Sequence, residues 1–273
     1  MNDIDRFLRE DVGKKGDITS DALFTGQTAR AVLIAKEGCV VAGLLEAQEV
    51  FTKVGASVLL LAKDGKIVQK GDSVMEVQGL VLSILKGERL ALNIIGRMSG
   101  IASETRKLVH CCKKINPAVT IVATRKTTPG FRMFEKKAVI LGGGEPHRYG
   151  LYDAVLIKDN HLKMFDSVEK AIEKIQEKLP RHPIEIEVEN ETDALTAAKM
   201  NVETIMLDNF NPQTGKNVAR KIRQQNPDII IEVSGGITAG NIEKYAVFAD
   251  RISLGCLTHS VKNKDFSLEI FKN

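Results

Sequence analysis

Tryptophan is absent from this 273-residue chain, and aromatic residues make up only 5% of it. That excludes the stacking platforms on which single-stranded nucleic acid is held. An excess of one charge sign is also lacking. The 39 Lys and Arg against 35 Asp and Glu leave a net charge of +4, too little for the basic stripe of a nucleic-acid protein. The four cysteines, Cys39, Cys111, Cys112 and Cys256, match no zinc spacing. Cys111 and Cys112, which follow His110, read as small apolar fillers on one helix. Nothing calls for an oxidising compartment. No apolar run reaches the roughly eighteen residues that cross a bilayer, and the charged stretch from Met1 to Asp11 lacks the apolar segment of a signal peptide. The expectation is a soluble, cytoplasmic protein. Lys70, in Lys70-Gly71-Asp72-Ser73-Val74, lacks the flanking methionines of a biotinyl or lipoyl carrier and reads as a hairpin turn.

What is present is a 43% hydrophobic chain, enough to build two modest domains or one large one. The first hundred residues read as a small α+β unit. A helix over Asp3–Glu10 precedes a loop at Gly16–Ser20. Strands follow at Arg30–Lys36, Cys39–Ala42, Val58–Ala62, Ile67–Val68 and Val74–Gly79, with a helix over Leu45–Lys53. A long helix over Leu85–Val109, with a break near Ser99-Gly100, leads into the second half. There the pattern changes to β-rich runs every twenty to thirty residues. They are Thr120–Ala123, Ala154–Ile157, Ile184–Glu189, Thr204–Leu207, Ile229–Val233 and Arg251–Leu254. Helical segments lie between most of them, at Ser167–Leu179, Glu191–Met200, Pro212–Gln225 and Ala239–Phe248. This alternation predicts parallel βα units and favours a (β/α) barrel, an incomplete one included. No Gly-x-Gly-x-x-Gly follows the first strand, which leaves a dinucleotide fold with little support.

Barrel active sites lie at the C-terminal ends of the strands, and the polar words of this sequence fall there. Arg125 and Lys126 follow the first run, Lys158 the second, Asp208 and Asn209 the fourth, Ser234-Gly235-Gly236 the fifth and Gly255 the last. Arg125, Lys126 and Lys158, with His147 and Arg148, form a cationic set for a carboxylate-rich small molecule, since arginine grips a carboxylate in two places and lysine adds a point charge. Glu185, Glu187 and Glu189 alternate, so all three share one strand face, and Glu187 stands beside Asp208 on the next strand. Such oxygen ligands suit Mg²⁺ carried by a phosphate substrate. For Glu185 alone, a solvent-facing edge strand is an equal alternative. The glycine loops at Ser234–Ile237 and Gly255–Ser260 suit a phosphate, as does Gly142-Gly143-Gly144, which can equally form a plain turn.

These words, in this order, resemble the quinolinate phosphoribosyltransferase family over almost the whole length. The match includes Gly16–Ser20, Gly87–Asn93, Thr124–Gly130, Gly142–Arg148, Leu156–His161, Glu185–Glu189, Leu207–Asn209, Ser234–Ile237 and Leu257–Ser260. The chain departs from the family's usual residues at Ala123, at Pro146 and around Phe248–Asp250. The resemblance implies an N-terminal α/β sandwich over residues 1–104, joined by a returning tail over 262–273, and an incomplete (β/α) barrel over 105–261. It implies a pentosyltransferase that makes nicotinate mononucleotide, CO₂ and pyrophosphate from quinolinate and phosphoribosyl pyrophosphate, with Mg²⁺. By the same resemblance Arg125, Lys126, His147, Arg148 and Lys158 contact quinolinate. Glu187 and Asp208 face the ribose and Mg²⁺, and Ser234, Gly235, Gly236 and Gly255 bind the 5′-phosphate. Thr124, Leu254 and Cys256 complete the substrate-binding set, and Lys126, Lys158, Glu187 and Asp208 are the catalytic residues. The family's homodimers or larger assemblies further imply that Arg89 reaches the neighbouring subunit's site. The alternatives are a sister phosphoribosyltransferase acting on another aromatic acid and a phosphate-ligand sensor on an inactive barrel.

Overall fold

The computed structural model describes residues 2–272, so Asn273, the last residue of the expected returning tail, lies outside them. In chain order the elements begin with α1 (Asp3–Val12), α2 (Ile18–Leu23), β1 (Thr28–Ala35), β2 (Cys39–Val40), α3 (Leu44–Lys53), β3 (Ser57–Leu60), β4 (Ile67–Val68), β5 (Ser73–Leu80) and α4 (Val81–Lys113). They continue with β6 (Thr120–Val122), α5 (Arg132–Leu141), β7 (Val155–Ile157), α6 (Asp159–Leu162), α7 (Val168–Lys178), β8 (Ile184–Val188), α8 (Glu191–Lys199) and β9 (Thr204–Asp208). The last are α9 (Pro212–Gln225), β10 (Ile230–Ser234), α10 (Ile242–Ala246), β11 (Arg251–Ser253), α11 (Cys256–His259) and β12 (Phe266–Lys272). The chain forms two compact units. One groups the residues up to Arg106 with Thr128–Gly143 and the chain from Ser260 onward; the other groups Lys107–Thr127 with Gly144–His259. Residues 128–143 thus group with the first unit, apart from the barrel residues on either side of them.

The first unit is built on a four-stranded sheet in the order β12-β1-β5-β3. Strand β1 alternates small and branched apolar residues, and Ala31, Leu33 and Ala35 are fully buried. It pairs antiparallel with β5 on one side and β12 on the other, from Ala29–Lys272 to Ala35–Phe266. The C-terminal tail therefore supplies a strand of the first unit. Two sequence expectations are corrected here. The loop at Gly16–Ser20 instead opens helix α2, because the Asp17 carboxylate accepts from the Thr19 and Ser20 amides and caps it. Helix α4 runs 33 residues without the break expected at Ser99-Gly100. Ser99 Oγ accepts from the Ala42 amide and donates to the Ala42 carbonyl, and a Cβ on Gly100 would come within 2.4 Å of the Lys262 carbonyl oxygen. The pair lets other backbone approach an intact helix. Helix α5, which no periodicity announced, also belongs to this unit.

The second unit carries six parallel strands in the order β6-β11-β10-β9-β8-β7. Strands β6 and β7 stand at its two ends and do not pair with each other, which makes the barrel incomplete. The strands read as apolar runs because both faces are covered. Every residue of β8 is buried, Glu185 included, so its face is interior and not a solvent edge. The helices between the strands start on side-chain caps, Ser167 for α7, Asn190 for α8 and Asn211, followed by Pro212, for α9. Parallel pairing brings the C-terminal ends of the strands to one rim. It also sets layers across the interior: Glu187 opposite Met206, Met206 opposite Glu232, and Asp208 opposite Ser234.

Candidate active site

A cavity of about 320 Å³ opens in the second unit at the ends of these strands. Its walls include Thr124, Arg125, Lys126, His147, Arg148, Lys158, Glu187, Asp208 and Ser234, so nine of the expected site residues meet in one place. Arg125 and Lys126 lie just past β6, where the Thr124 hydroxyl accepts from the Lys126 amide. The Lys126 carbonyl accepts from the Thr258 hydroxyl at 2.7 Å, which fixes this loop to α11. His147 and Arg148 are delivered by a short extension of the sheet. Glu145 forms a parallel bridge with Val122, and its amide and carbonyl bond to Ile121 and Ala123. His147 then takes a left-handed backbone, φ 52°, uncommon for a residue with a side chain.

The electrostatics of the cavity are unbalanced on its cationic side. Arg148 is buried, and one of its guanidinium nitrogens donates to the Ala154 carbonyl at 3.2 Å. Burial first, and then the neighbouring Arg125, lower its pKa, while Glu185 and Glu187 oppose them. Arg125 Nε is itself buried without a hydrogen-bond partner among the described residues. Two guanidiniums that repel one another, one with an unsatisfied donor, constitute a site for an anion. Lys158 Nζ is paired with the Glu187 carboxylate. Asp208 accepts from the Asn209 amide side chain at 2.7 Å, and Asn209 is left-handed, with its backbone N–H on the Ser234 carbonyl.

The remaining expected residues lie outside the cavity wall. Gly235 and Gly236 follow Ser234 with φ 83° and 62°. A Cβ at Gly235 would fall 2.2 Å from Asn209 Oδ1, so only glycine closes this turn. Leu254 and Gly255 lead into α11, which Cys256 begins, and the Gly255 carbonyl accepts from the Thr258 and His259 amides. Gly142, Gly143 and Gly144 are absent from the wall, and the Gly142 carbonyl instead accepts from Arg106 in the first unit. The plain-turn reading of that word, not the phosphate reading, is the one its surroundings support. Arg89 lines a separate hollow in the first unit, with Phe7, Glu10, Asp11, Asn93 and Arg97.

Sequence reasoning missed Glu232. It is fully buried, lines the cavity and has no hydrogen-bond partner on either oxygen among the described residues. Burial, with Glu185 second, pushes its pKa up to about 7. The signal was available: one acid inside the apolar run Ile229–Val233 is as costly there as Glu187 is on β8.

Family models for quinolinate phosphoribosyl transferase match this chain twice, the N-terminal domain over residues 17–99 and the C-terminal domain over 101–269. A probable nicotinate-nucleotide pyrophosphorylase (carboxylating) of Archaeoglobus fulgidus is 40% identical over 260 residues, covering 94% of this chain and 99% of the relative. The nicotinate-nucleotide pyrophosphorylase (carboxylating) of Rattus norvegicus is 38% identical, covering 92% and 85%. The crystal structure of the nicotinate-nucleotide pyrophosphorylase from Ehrlichia chaffeensis superposes with a TM-score of 0.93 at 36% identity, covering 98% of this chain and 97% of the other.

Proposed function

The chain belongs to the quinolinate phosphoribosyltransferase family, and from that premise we propose how its own residues carry the reaction. The enzyme joins quinolinate to phosphoribosyl pyrophosphate and releases nicotinate mononucleotide, CO₂ and pyrophosphate, a step of de novo NAD biosynthesis. The observation that carries the proposal is the pair of close guanidiniums, Arg125 and Arg148, with the buried Arg125 Nε left for a ligand. Two carboxylates on one ring supply what that pair lacks. Lys126 and Lys158 add charge at the cavity wall, and His147 borders the ring.

Holding the ring nitrogen in line with the ribose carbon is most of the work. The nitrogen lone pair forms the new C–N bond as the bond to pyrophosphate breaks. Glu187 and Asp208, on adjacent strands, face the ribose and stabilise its developing positive charge. In the free enzyme Glu187 is occupied by Lys158. A substrate carboxylate that takes Lys158 frees Glu187 for the ribose, so the first ligand prepares the site for the second. The 5′-phosphate is held by Ser234, Gly235, Gly236 and Gly255, with Thr124, Leu254 and Cys256 beside them. Once the ring nitrogen is bonded to ribose it is cationic. The adjacent carboxylate then leaves as CO₂, its electron pair stays on the ring carbon next to N⁺, and a proton from water ends there. None of these steps needs a strong base, in keeping with a cation-rich cavity.

The carboxylate oxygens of Glu187 and Asp208 are hard donors and fit Mg²⁺ held jointly with the diphosphate. When bound, such an ion supplies charge neutralisation at the departing pyrophosphate. The enzyme is proposed to be a homodimer or larger assembly in which Arg89 of one copy completes the cavity of the next. No helix among the described residues is long and apolar enough to cross a membrane, and we place the reaction in the cytoplasm.

Purified enzyme with phosphoribosyl pyrophosphate tests the assignment. Quinolinate should give stoichiometric CO₂ and pyrophosphate, and nicotinate neither. Pyrophosphate release with nicotinate would instead identify the sister activity. Mixing inactive Arg89→Ala and Lys158→Ala proteins should restore about a quarter of wild-type activity if Arg89 acts in the neighbouring site of a dimer, and none if it acts in its own.

A further inference from the structure

His147, Glu185 and Glu232 place one ligand atom each within 4.8 Å of one another. The spacing suits a metal ion, and the hydrogen bonds of His147 argue against one. Its Nδ1 accepts from the Arg148 backbone N–H at 2.7 Å, so that nitrogen carries no hydrogen. Its Nε2 lies 3.1 Å from Glu185 Oε2 and must hold the ring hydrogen, donating it there. A histidine bound to metal through Nε2 keeps its hydrogen on Nδ1 and donates it onward, the reverse of this arrangement. The ring therefore turns Nε2 toward Glu185 as a donor.

Glu232 completes the cluster. Its Oε1 is 3.7 Å from His147 Nε2, beyond a hydrogen bond. Neither of its oxygens has a hydrogen-bond partner among the described residues, although the side chain is fully buried. The groups packed around it are Arg251 in register on β11, Met206 in register on β9, Glu185 from β8 and His147. Ser253 is close enough to favour the charged form, but its hydroxyl donates to the Val233 carbonyl at 3.3 Å. A carboxylate there would be unsolvated, beside a second acid.

We propose that Glu232 is held as a neutral carboxylic acid in the buried wall of the cavity, and that its proton makes the pocket selective for a dianionic aromatic acid. The inference rests on the reaction assigned above. Neutral, Glu232 adds no negative charge to the cavity wall that it shares with Arg125 and Arg148. Ionised, it would put a negative charge into the wall that receives two carboxylates. Binding the diacid therefore draws a proton onto Glu232.

Because Glu232 titrates near pH 7 in the free protein, the KM for quinolinate should rise about tenfold per pH unit above that value. The maximal rate should change much less. Glu232→Gln keeps the shape of the neutral acid and should hold a low quinolinate KM to pH 9, without the alkaline rise. A merely structural residue would change rates and stability while leaving that limb in place. Wild-type calorimetry at pH 8, in two buffers of different ionisation enthalpy, should show uptake of about one proton per quinolinate. An unchanged alkaline limb in Glu232→Gln, or binding without proton uptake, overturns the inference. Failure of quinolinate to react at any pH sinks the assigned reaction instead. Carboxyl ¹³C NMR of the free protein then still decides the proton: the signal missing from Glu232→Gln should titrate near neutrality, and one already ionised at pH 5.5 refutes it.

Discussion

Replacing Glu135 by Gln should destabilise the first unit severely, and the structure sets the scale. The Glu135 side chain is fully buried in α5. Its Oε1 accepts from Arg97 Nη2 at 2.8 Å, from Arg97 Nε at 3.1 Å and from the Thr128 hydroxyl at 2.9 Å. Its Oε2 accepts from the Thr128 amide at 3.0 Å. Gln retains one acceptor oxygen and turns an NH₂ group toward donors that already point inward. The loss is that of a buried ion pair stripped of one charge, about 3–5 kcal/mol. At about 2–4 °C per kcal/mol, the melting temperature should fall by roughly 6–20 °C in calorimetry. Activity should fall with the folded fraction. A double variant, Arg97→Met with Glu135→Leu, should cost less than Glu135→Gln alone, since it removes both charges together. A Glu135→Gln protein within about 1 kcal/mol of wild type, well below the expected loss, would refute the reasoning.

Arg148→Ala and Lys158→Ala should each lower kcat/KM for quinolinate by about ten- to a hundredfold or more, the value of one charge-assisted contact. Steady-state kinetics on folded protein checks this, and near-normal turnover would remove both from the site. Gly235→Ala forces a Cβ to 2.2 Å from Asn209 Oδ1 at a φ of 83°. Its strain of about 1–3 kcal/mol should raise the KM for phosphoribosyl pyrophosphate far more than that for quinolinate. For stability, Glu232 has a folded pKa of about 7 against an ordinary value of 4.5, so the native state binds its proton more tightly than the unfolded chain does. Wild type should therefore lose stability as pH rises from 4.5 through 7, by roughly 3 kcal/mol in total. Glu232→Gln should not show this loss in urea titrations at pH 5 and 8.

Much of the barrel was legible because its physics is local. Apolar runs of strand length and helical segments on Ser and Asn caps are set by neighbours in sequence. Polar residues just past each run, Arg125, Lys158, Asp208 and Ser234, could therefore be assigned to one rim before any coordinates. The alternation of Glu185 and Glu187 put both on one strand face in the same way. The first unit was less legible. Helix α2 depends on a single capping carboxylate, α5 has no periodic announcement, and β12 becomes a strand only because β1 offers it an edge far away in sequence.

By itself the sequence determined the family, the βα order and a cation-rich rim with acids beside it, since each depends on residue type and spacing. Tertiary structure alone decided which charges meet. The pairing of Lys158 with Glu187, the partnerless Arg125 Nε, the hydrogen on His147 Nε2 and the solitude of Glu232 depend on strand register and loop closure. Those bring residues far apart in the chain to within a few ångströms, where water no longer screens them.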